Sequence, residues 1–210
     1  MCGRFTLTTP AELVAEAFGL DAVPDLVARY NIAPSQPVPV VRARAGGGRA
    51  LSLMPWGLPG PGRGLLINAR AESAATRPAF ADALRRRRCL IPADGFYEWV
   101  AGDGPRRPYH CRLVDGRPFA FAGLWSPVES EEACTILTTE PNEVLRPLHD
   151  RMPVMLAPAD YGLWLDPAVT EPARLAPLLR PFPAGDMEAV RVSLMANDAR
   201  NDSPACLEPA

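Results

Sequence analysis

The first three residues hold the most specific chemical potential in the chain. Met1-Cys2-Gly3 sets a small residue after the initiator methionine, so removal of Met1 exposes Cys2 with a free α-amine beside its thiol. An α-amine titrates near about 7.7–8.0 and a thiol near about 8.5, so both are partly deprotonated at neutral pH. A 1,2-aminothiol attacks an aldehyde through nitrogen to give an imine. The thiolate then closes a five-membered thiazolidine, a step favoured by the high effective molarity of an intramolecular reaction. The sequence contains no lysine, its 22 Lys+Arg residues all being arginine. An N-terminal α-amine is therefore the only primary amine, and any Schiff-base chemistry must occur there. Taken alone, Cys2 also fits a small apolar residue opening a strand, which is the commoner use.

Other side chains suit the same chemistry, each with an ordinary alternative. Glu98 lies in Phe96-Tyr97-Glu98-Trp99, where crowding by aromatics should raise a carboxyl pKa and fit it for moving protons; the alternative is an edge-strand glutamate facing water. His149 can protonate a departing hydroxyl or ring oxygen, or serve as a loop histidine bonded to backbone. Asn68 can orient a nucleophile through its amide, or simply make a turn. Arg4, Arg70 and Arg151 suit bidentate phosphate contacts, or are solvated surface charges. Trp56 offers a face for a nucleic-acid base, a contact of about 1–3 kcal/mol, or belongs to the core. The run Arg85-Arg86-Arg87-Arg88 reads as a helix C-terminus, where cations offset the dipole.

The elements that must position these groups are mostly strands. Strands are expected at 2–8, 38–43, 50–56, 65–69, 89–91, 95–100, 109–114, 118–124, 133–138, 153–156 and 189–195. The Gly46-Gly47-Gly48 and Asp115-Gly116 turns make hairpins. Thr9-Pro10-Ala11-Glu12 supplies an N-cap, a first-turn proline and a capping-box glutamate for a helix through about Phe18. Short helices are expected at 78–88, 142–145, 158–165 and 172–179. Strands outnumber helices without alternating with them, and the 25 prolines favour short strands and edges. The expected class is α+β, a curved, barrel-like mixed β-sheet with peripheral short helices, in a single domain over 1–210.

Composition narrows the function classes. The 48% hydrophobic and 22% charged content is that of an ordinary globular chain. A net charge of -2 gives no global attraction to nucleic acid, so such binding needs a local basic patch. No apolar run approaches a membrane span, and MCGRFTLTTP lacks the hydrophobic region of a secretory signal, which points to the cytoplasm. Five scattered cysteines without a CxxC pair read as free thiols in a reducing compartment. A zinc site needs clustered ligands, to which His110-Cys111 is the nearest approach, so no metal is expected.

Seven segments taken in order carry a resemblance. They are MCGRF, YNIAPSQ at 30–36, MPWGL at 54–58, INARAES at 67–73, RCLIPADGFYEW at 88–99, LHDRMPVML at 148–156 and NDSPACLEP at 201–209. Together they resemble the SRAP family (SOS-response-associated peptidase domain, also called abasic site processing proteins) from residue 2 to residue 209. One position departs: Pro55 precedes Trp56 where family members often carry a charge. The resemblance implies a mixed α+β barrel with a charged groove for single-stranded DNA containing abasic sites, and no cofactor. It implies a catalytic Cys2, exposed by self-processing or by loss of Met1, with Asn68, Glu98 and His149 around it. It assigns phosphate contacts to Arg4, Arg70 and Arg151, a DNA-binding role to Asn31, and a wedge against bases to Trp56. The implied activity is a covalent thiazolidine adduct that shields the lesion during the response to DNA damage, with imine chemistry allowing lyase side reactions, in a cytoplasmic, DNA-associated protein. The alternative is an N-terminal-nucleophile cysteine peptidase, the Cys2 thiol attacking an amide with its own amine as base.

Overall fold

A computed structural model describes residues 2–62 and 64–210. The chain opens with β1 (Phe5–Leu7), α1 (Ala11–Phe18), β2 (Arg29–Ile32), β3 (Pro37–Ala43) and β4 (Arg49–Pro55). Short strands β5 (Leu58–Pro59), β6 (Leu65–Leu66) and β7 (Asn68–Arg70) precede helices α2 (Ala71–Ala74) and α3 (Pro78–Arg86). Long strands follow as β8 (Arg88–Ala93), β9 (Gly95–Val100), β10 (Arg107–Leu113), β11 (Phe119–Val128) and β12 (Glu131–Thr139). The chain ends with β13 (Met152–Pro153), β14 (Met155–Leu156), α4 (Tyr161–Leu165), α5 (Pro172–Leu175) and β15 (Met187–Arg191).

Two sheets share the work. One has five strands in the order β15-β10-β9-β1-β2; the other has eight, with β13-β12-β11-β8-β3-β4 as its main path and β14 and β7 attached. Pairing is antiparallel except for β7 on β12, where Ile136 lies beside Asn68. The class is α+β, but no sheet among the described residues closes on itself, so the expected barrel is replaced by open sheets. Among those residues the edge strands β15 and β2 of the first sheet do not pair with each other, nor do β13 and β4 at the ends of the second.

One cluster of buried side chains runs from Cys2 to Met187. Phe5 sits at its centre, edge-on to Trp56 at 5.3 Å and to Phe121 at 5.6 Å. Burying one such ring contributes about 1.5–3 kcal/mol, and here it also fixes the start of the chain against both sheets.

Local chemistry changes several sequence expectations. The α1 helix ends as a Schellman motif, with left-handed Gly19 (φ 60°) and the Leu20 N–H donating to Ala15 O at 2.9 Å. Its start carries no side-chain cap; the Thr9 hydroxyl donates instead to Asp94 Oδ2 at 3.0 Å. Asp94 Oδ2 also accepts from both the N–H and the hydroxyl of Thr8, and Asp94 Oδ1 accepts from Thr6, so a tertiary acceptor outcompetes the local cap. The α3 helix stops at Arg86, not Arg88. Arg88 instead opens β8 and turns its guanidinium back onto Leu84 O (2.8 Å) and Arg85 O (2.7 Å), the last carbonyls of that helix. Residues 143–148 form turns rather than a regular helix, and the last strand ends at Arg191. The strand β2 has no counterpart among the expected elements.

Candidate active site

Cys2 is fully buried three residues ahead of β1. Its carbonyl accepts a hydrogen bond from Asn68 Nδ2 at 2.8 Å. Asn68 reaches it because β7 docks in parallel on β12. Asn68 Oδ1 is shielded from solvent, and no donor among the described residues reaches it. A buried acceptor left open beside a reactive residue is uncommon, and it suits a donor that arrives with a ligand.

Glu98 comes from the other sheet. Phe5 pairs with Phe96 and Thr6 with Gly95, and the Tyr97 N–H donates to Arg4 O at 3.0 Å; continuing that register sets Glu98 opposite Gly3. Glu98 is only 2% exposed. Burial pushes its carboxyl up to about 7, with the charge of Asp150 adding in the same direction. Burial also raises the Cys2 thiol well above its ordinary range, and the negative charge of Glu98 raises it further. Cys111, also buried, is raised by burial and then by Glu98 and Cys2, so a second thiol shares this neighbourhood, which the sequence did not single out.

His149 follows the turns at 143–148, its N–H donating to Leu145 O at 2.9 Å. Its Nδ1 accepts from the Arg151 N–H at 3.0 Å and lies 2.7 Å from Asp150 Oδ1. The neutral ring satisfies the first contact and the protonated ring the second, so the two neighbours pull its proton in opposite directions. Its pKa is lowered, chiefly by burial. The charge of Asp150 in this loop acts on Glu98, while Cys2, Asn68 and Glu98 are joined by the Asn68–Cys2 hydrogen bond and the β1–β9 register.

The expected DNA-binding residues divide. Arg4 is half-buried, donates to Asn31 Oδ1 at 2.8 Å and Ala196 O at 3.2 Å, and stacks over Trp99 at 5.6 Å. Its hydrogen-bond acceptors are neutral, while burial lowers its pKa and the nearby charge of Asp198 opposes that shift. Arg70 is exposed and two residues from Asn68 on β7, hence on the same strand face. Arg151 is held differently: its guanidinium makes a bidentate pair with Glu72 (2.7 and 2.8 Å) and donates to Thr138 O at 2.6 Å.

Two expected contacts lie out of reach of any ligand. Asn31 is fully buried, its Nδ2 donating to Asp198 O at 3.1 Å and Asn201 O at 2.9 Å; it positions Arg4. Asp202 in turn accepts from the backbone of Tyr30 and Asn31 and pairs with Arg29, which explains why a C-terminal motif matters to a site built at the N-terminus. Trp56 has no exposed surface, and its Nε1–H donates to Ile67 O at 2.9 Å; it is a core residue and not a wedge. The aromatic at the surface is Trp99, which lines a cleft of about 430 Å³ with Gly3, Arg4, Arg106 and Asn197. Standing directly after Glu98 on β9, it points to the opposite face of the strand, where it packs with Tyr97 in the smaller buried cluster. Glu72, the partner of Arg151, had no signal in the sequence.

A buried cysteine gripped at its carbonyl by an asparagine, beside a buried near-neutral carboxyl, marks the candidate site. The sequence pattern of the SOS response associated peptidase (SRAP) family matches residues 1–199, and the chain belongs to that family. It is 40% identical to the abasic site processing protein YoqW of Bacillus subtilis, covering 99% of each chain. It is 33% identical to the abasic site processing protein YedK of Escherichia coli, covering 79% of each. A crystal structure of a phage-related protein from Bordetella bronchiseptica superposes with a TM-score of 0.76 at 30% identity, covering 91% of this chain and 94% of that one. One from Bacteroides thetaiotaomicron covers both chains completely with a TM-score of 0.84 at 23% identity, a likeness of fold.

Proposed function

We propose that this protein processes abasic sites in single-stranded DNA by joining them covalently to Cys2 once Met1 has been removed. The relatives' activity, as their names give it, supports the substrate. The grip of Asn68 Nδ2 on the Cys2 carbonyl at 2.8 Å, next to a Glu98 carboxyl near about 7, carries the chemistry.

The steps balance as follows. Glu98 takes a proton from the Cys2 ammonium, and the free amine adds to the ring-opened C1′ aldehyde, giving a carbinolamine. His149 protonates the hydroxyl, which leaves as water, and the resulting iminium returns its N–H proton to His149, leaving the imine. The Cys2 sulfur then adds to the imine carbon while the thiol proton passes, through Glu98, to the nitrogen. Aldehyde and aminothiol become thiazolidine and one water. The raised thiol pKa makes nitrogen the first nucleophile and sulfur the second, and argues against thiolate-first peptidase chemistry. Arg4 and Arg70 hold phosphates, Arg151 joins them to the extent that Glu72 releases it, and Trp99 offers the base-stacking face assigned from the sequence to Trp56. The adduct shields the strand from cleavage, and hydrolysis or β-elimination from the imine gives a lyase side path.

The test is a denaturing gel with an abasic single-stranded oligonucleotide, paired with intact mass. A heat-resistant shifted band is expected with the wild type lacking Met1, none with Cys2→Ser, and none with undamaged DNA. A stable adduct from Cys2→Ser, or from protein retaining Met1, would overturn the mechanism.

A further inference from the structure

A second concentration of arginine lies at the other end of the β11–β12 pair and has no part in the chemistry above. Trp125 on β11 is half-buried between two cations, with the Arg42 guanidinium 4.6 Å and that of Arg87 6.0 Å from its ring centroid. Arg42, Arg44, Arg86, Arg88 and Trp125 line a cleft of about 520 Å³ whose described lining includes no acidic side chain. Its positive sign is local, because the whole chain carries a net charge of -2.

The carboxylates that do meet these arginines lie outside the lining. Glu132 pairs with Arg42 at 2.9 Å, Asp21 with Arg44 at 2.9 Å and Asp82 with Arg86 at 3.5 Å, all with side chains well open to water. Such exposed pairs are weak, so an incoming anion can join or displace them. Arg88 differs. It is buried, and its hydrogen bonds among the described residues all go to main-chain carbonyls, those of Leu84, Arg85, Trp164 and Asp166. It therefore leaves a cation at the cleft without a carboxylate bonded to it. Stacking on Trp125 holds the Arg42 guanidinium in place before any ligand arrives, which reduces the ordering cost of binding.

The cleft lies at a measured remove from Cys2. The active-site end of β12 is marked by Thr138, which accepts from Arg151 at 2.6 Å; the other end is marked by Glu132, which accepts from Arg42 at 2.9 Å. The six residue steps from one to the other span about 20 Å at the rise of a strand. That length is several nucleotides of a single strand, whose extended backbone covers more per nucleotide than the about 3.4 Å rise of a duplex.

We propose that the Arg42–Arg44–Arg86–Arg88 cleft is a second, phosphate-binding contact for the single strand, engaging its backbone several nucleotides from the one joined to Cys2. This extends the reading of the Cys2 site given above and rests on it for the identity of the strand. Its recognition is of backbone charge, not of base sequence.

The experiment compares Arg44→Glu/Arg86→Glu with the wild type, leaving Arg88 and Arg42 in place. Fluorescence anisotropy with an undamaged single strand of 20 nucleotides needs no covalent step. The double variant should bind about tenfold more weakly, and its log K against log salt should be shallower by about 1.4, two phosphates at about 0.7 each. Arg44→Lys/Arg86→Lys should restore both. Adduct formation on a short abasic strand with two nucleotides on either side should be unchanged, whereas on a long strand it should slow at low protein concentration. If the Glu variant fails to fold by thermal denaturation, Arg44→Gln/Arg86→Gln takes its place with half the expected effect. Unchanged affinity and salt slope on the long strand would overturn the proposal while leaving the Cys2 chemistry intact. Loss of inorganic pyrophosphate binding without loss of DNA binding would assign the cleft to a small anion and would also overturn it. Absence of any adduct, with the difference in long-strand binding still present, would remove the covalent reading and leave the cleft standing.

Discussion

The two flanks of Cys2 carry the same residue types and use them in opposite ways. On one side Arg4 is held by the neutral acceptors of Asn31 and Ala196 and lies over a half-buried Trp99. On the other, Arg151 is tied to the Glu72 carboxylate, and Trp56 is sealed in the core against Phe5. Among the described residues no carboxylate is hydrogen-bonded to Arg4, although the charge of Asp198 acts on it, whereas Arg151 is bonded to one. An incoming strand should therefore be gripped first through the Arg4 flank.

The comparison can be broken most severely at its two tryptophans. Trp56→Ala should destabilise the fold by about 3–5 kcal/mol, as deletion of a large buried ring does, read by thermal or urea unfolding. Trp99→Ala should leave unfolding nearly unchanged and weaken strand binding by about 1–3 kcal/mol. If Trp56→Ala folds normally and loses binding, the two flanks have been assigned the wrong way round.

Between the flanks, Glu98→Gln should slow adduct formation by about a hundredfold or more, the usual contribution of a placed acid–base group. The rate in the wild type should rise with pH through about 7, and the variant should lose that limb. Stability should move the other way. The folded carboxyl is raised above its ordinary value, so its contribution is complete below the unfolded pKa and is lost as pH climbs through about 7. A Glu98→Gln protein whose stability still falls across that range would exclude Glu98 as the source.

Smaller effects sharpen the contrast in charge. Arg4→Gln should weaken DNA binding about tenfold, as loss of a charge-assisted contact does, and Arg151→Gln by clearly less. Glu72→Gln removes the carboxylate and keeps the shape, so Arg151 is released and affinity should rise about two- to threefold. A fall in affinity would mean that Glu72 orients Arg151 productively and does not compete for it.

The strands with alternating or aromatic patterns and the α+β class were legible because each rests on local pattern, and the family because its motifs stand in order along the chain. Strand β2 was not, because Arg29–Ile32 owes its place to Asp202, which binds Tyr30 and Asn31 from the far end of the chain. Thr9 reads as a helix cap, and only the approach of Asp94 turns it away. The barrel failed for a similar reason, since closure depends on which edges meet.

By itself the sequence determined which chemistry is possible: a lysine-free chain with cysteine second can form an imine and a thiazolidine at one place only. Tertiary structure alone decided which arginine is bonded to a carboxylate, which tryptophan is sealed in the core and in which direction the Glu98 carboxyl is shifted. Those properties depend on burial and on partners distant in sequence, such as Glu72 for Arg151 and Asp198 and Asn201 for Asn31, and desolvation and long-range hydrogen bonds leave no periodicity in the chain to read.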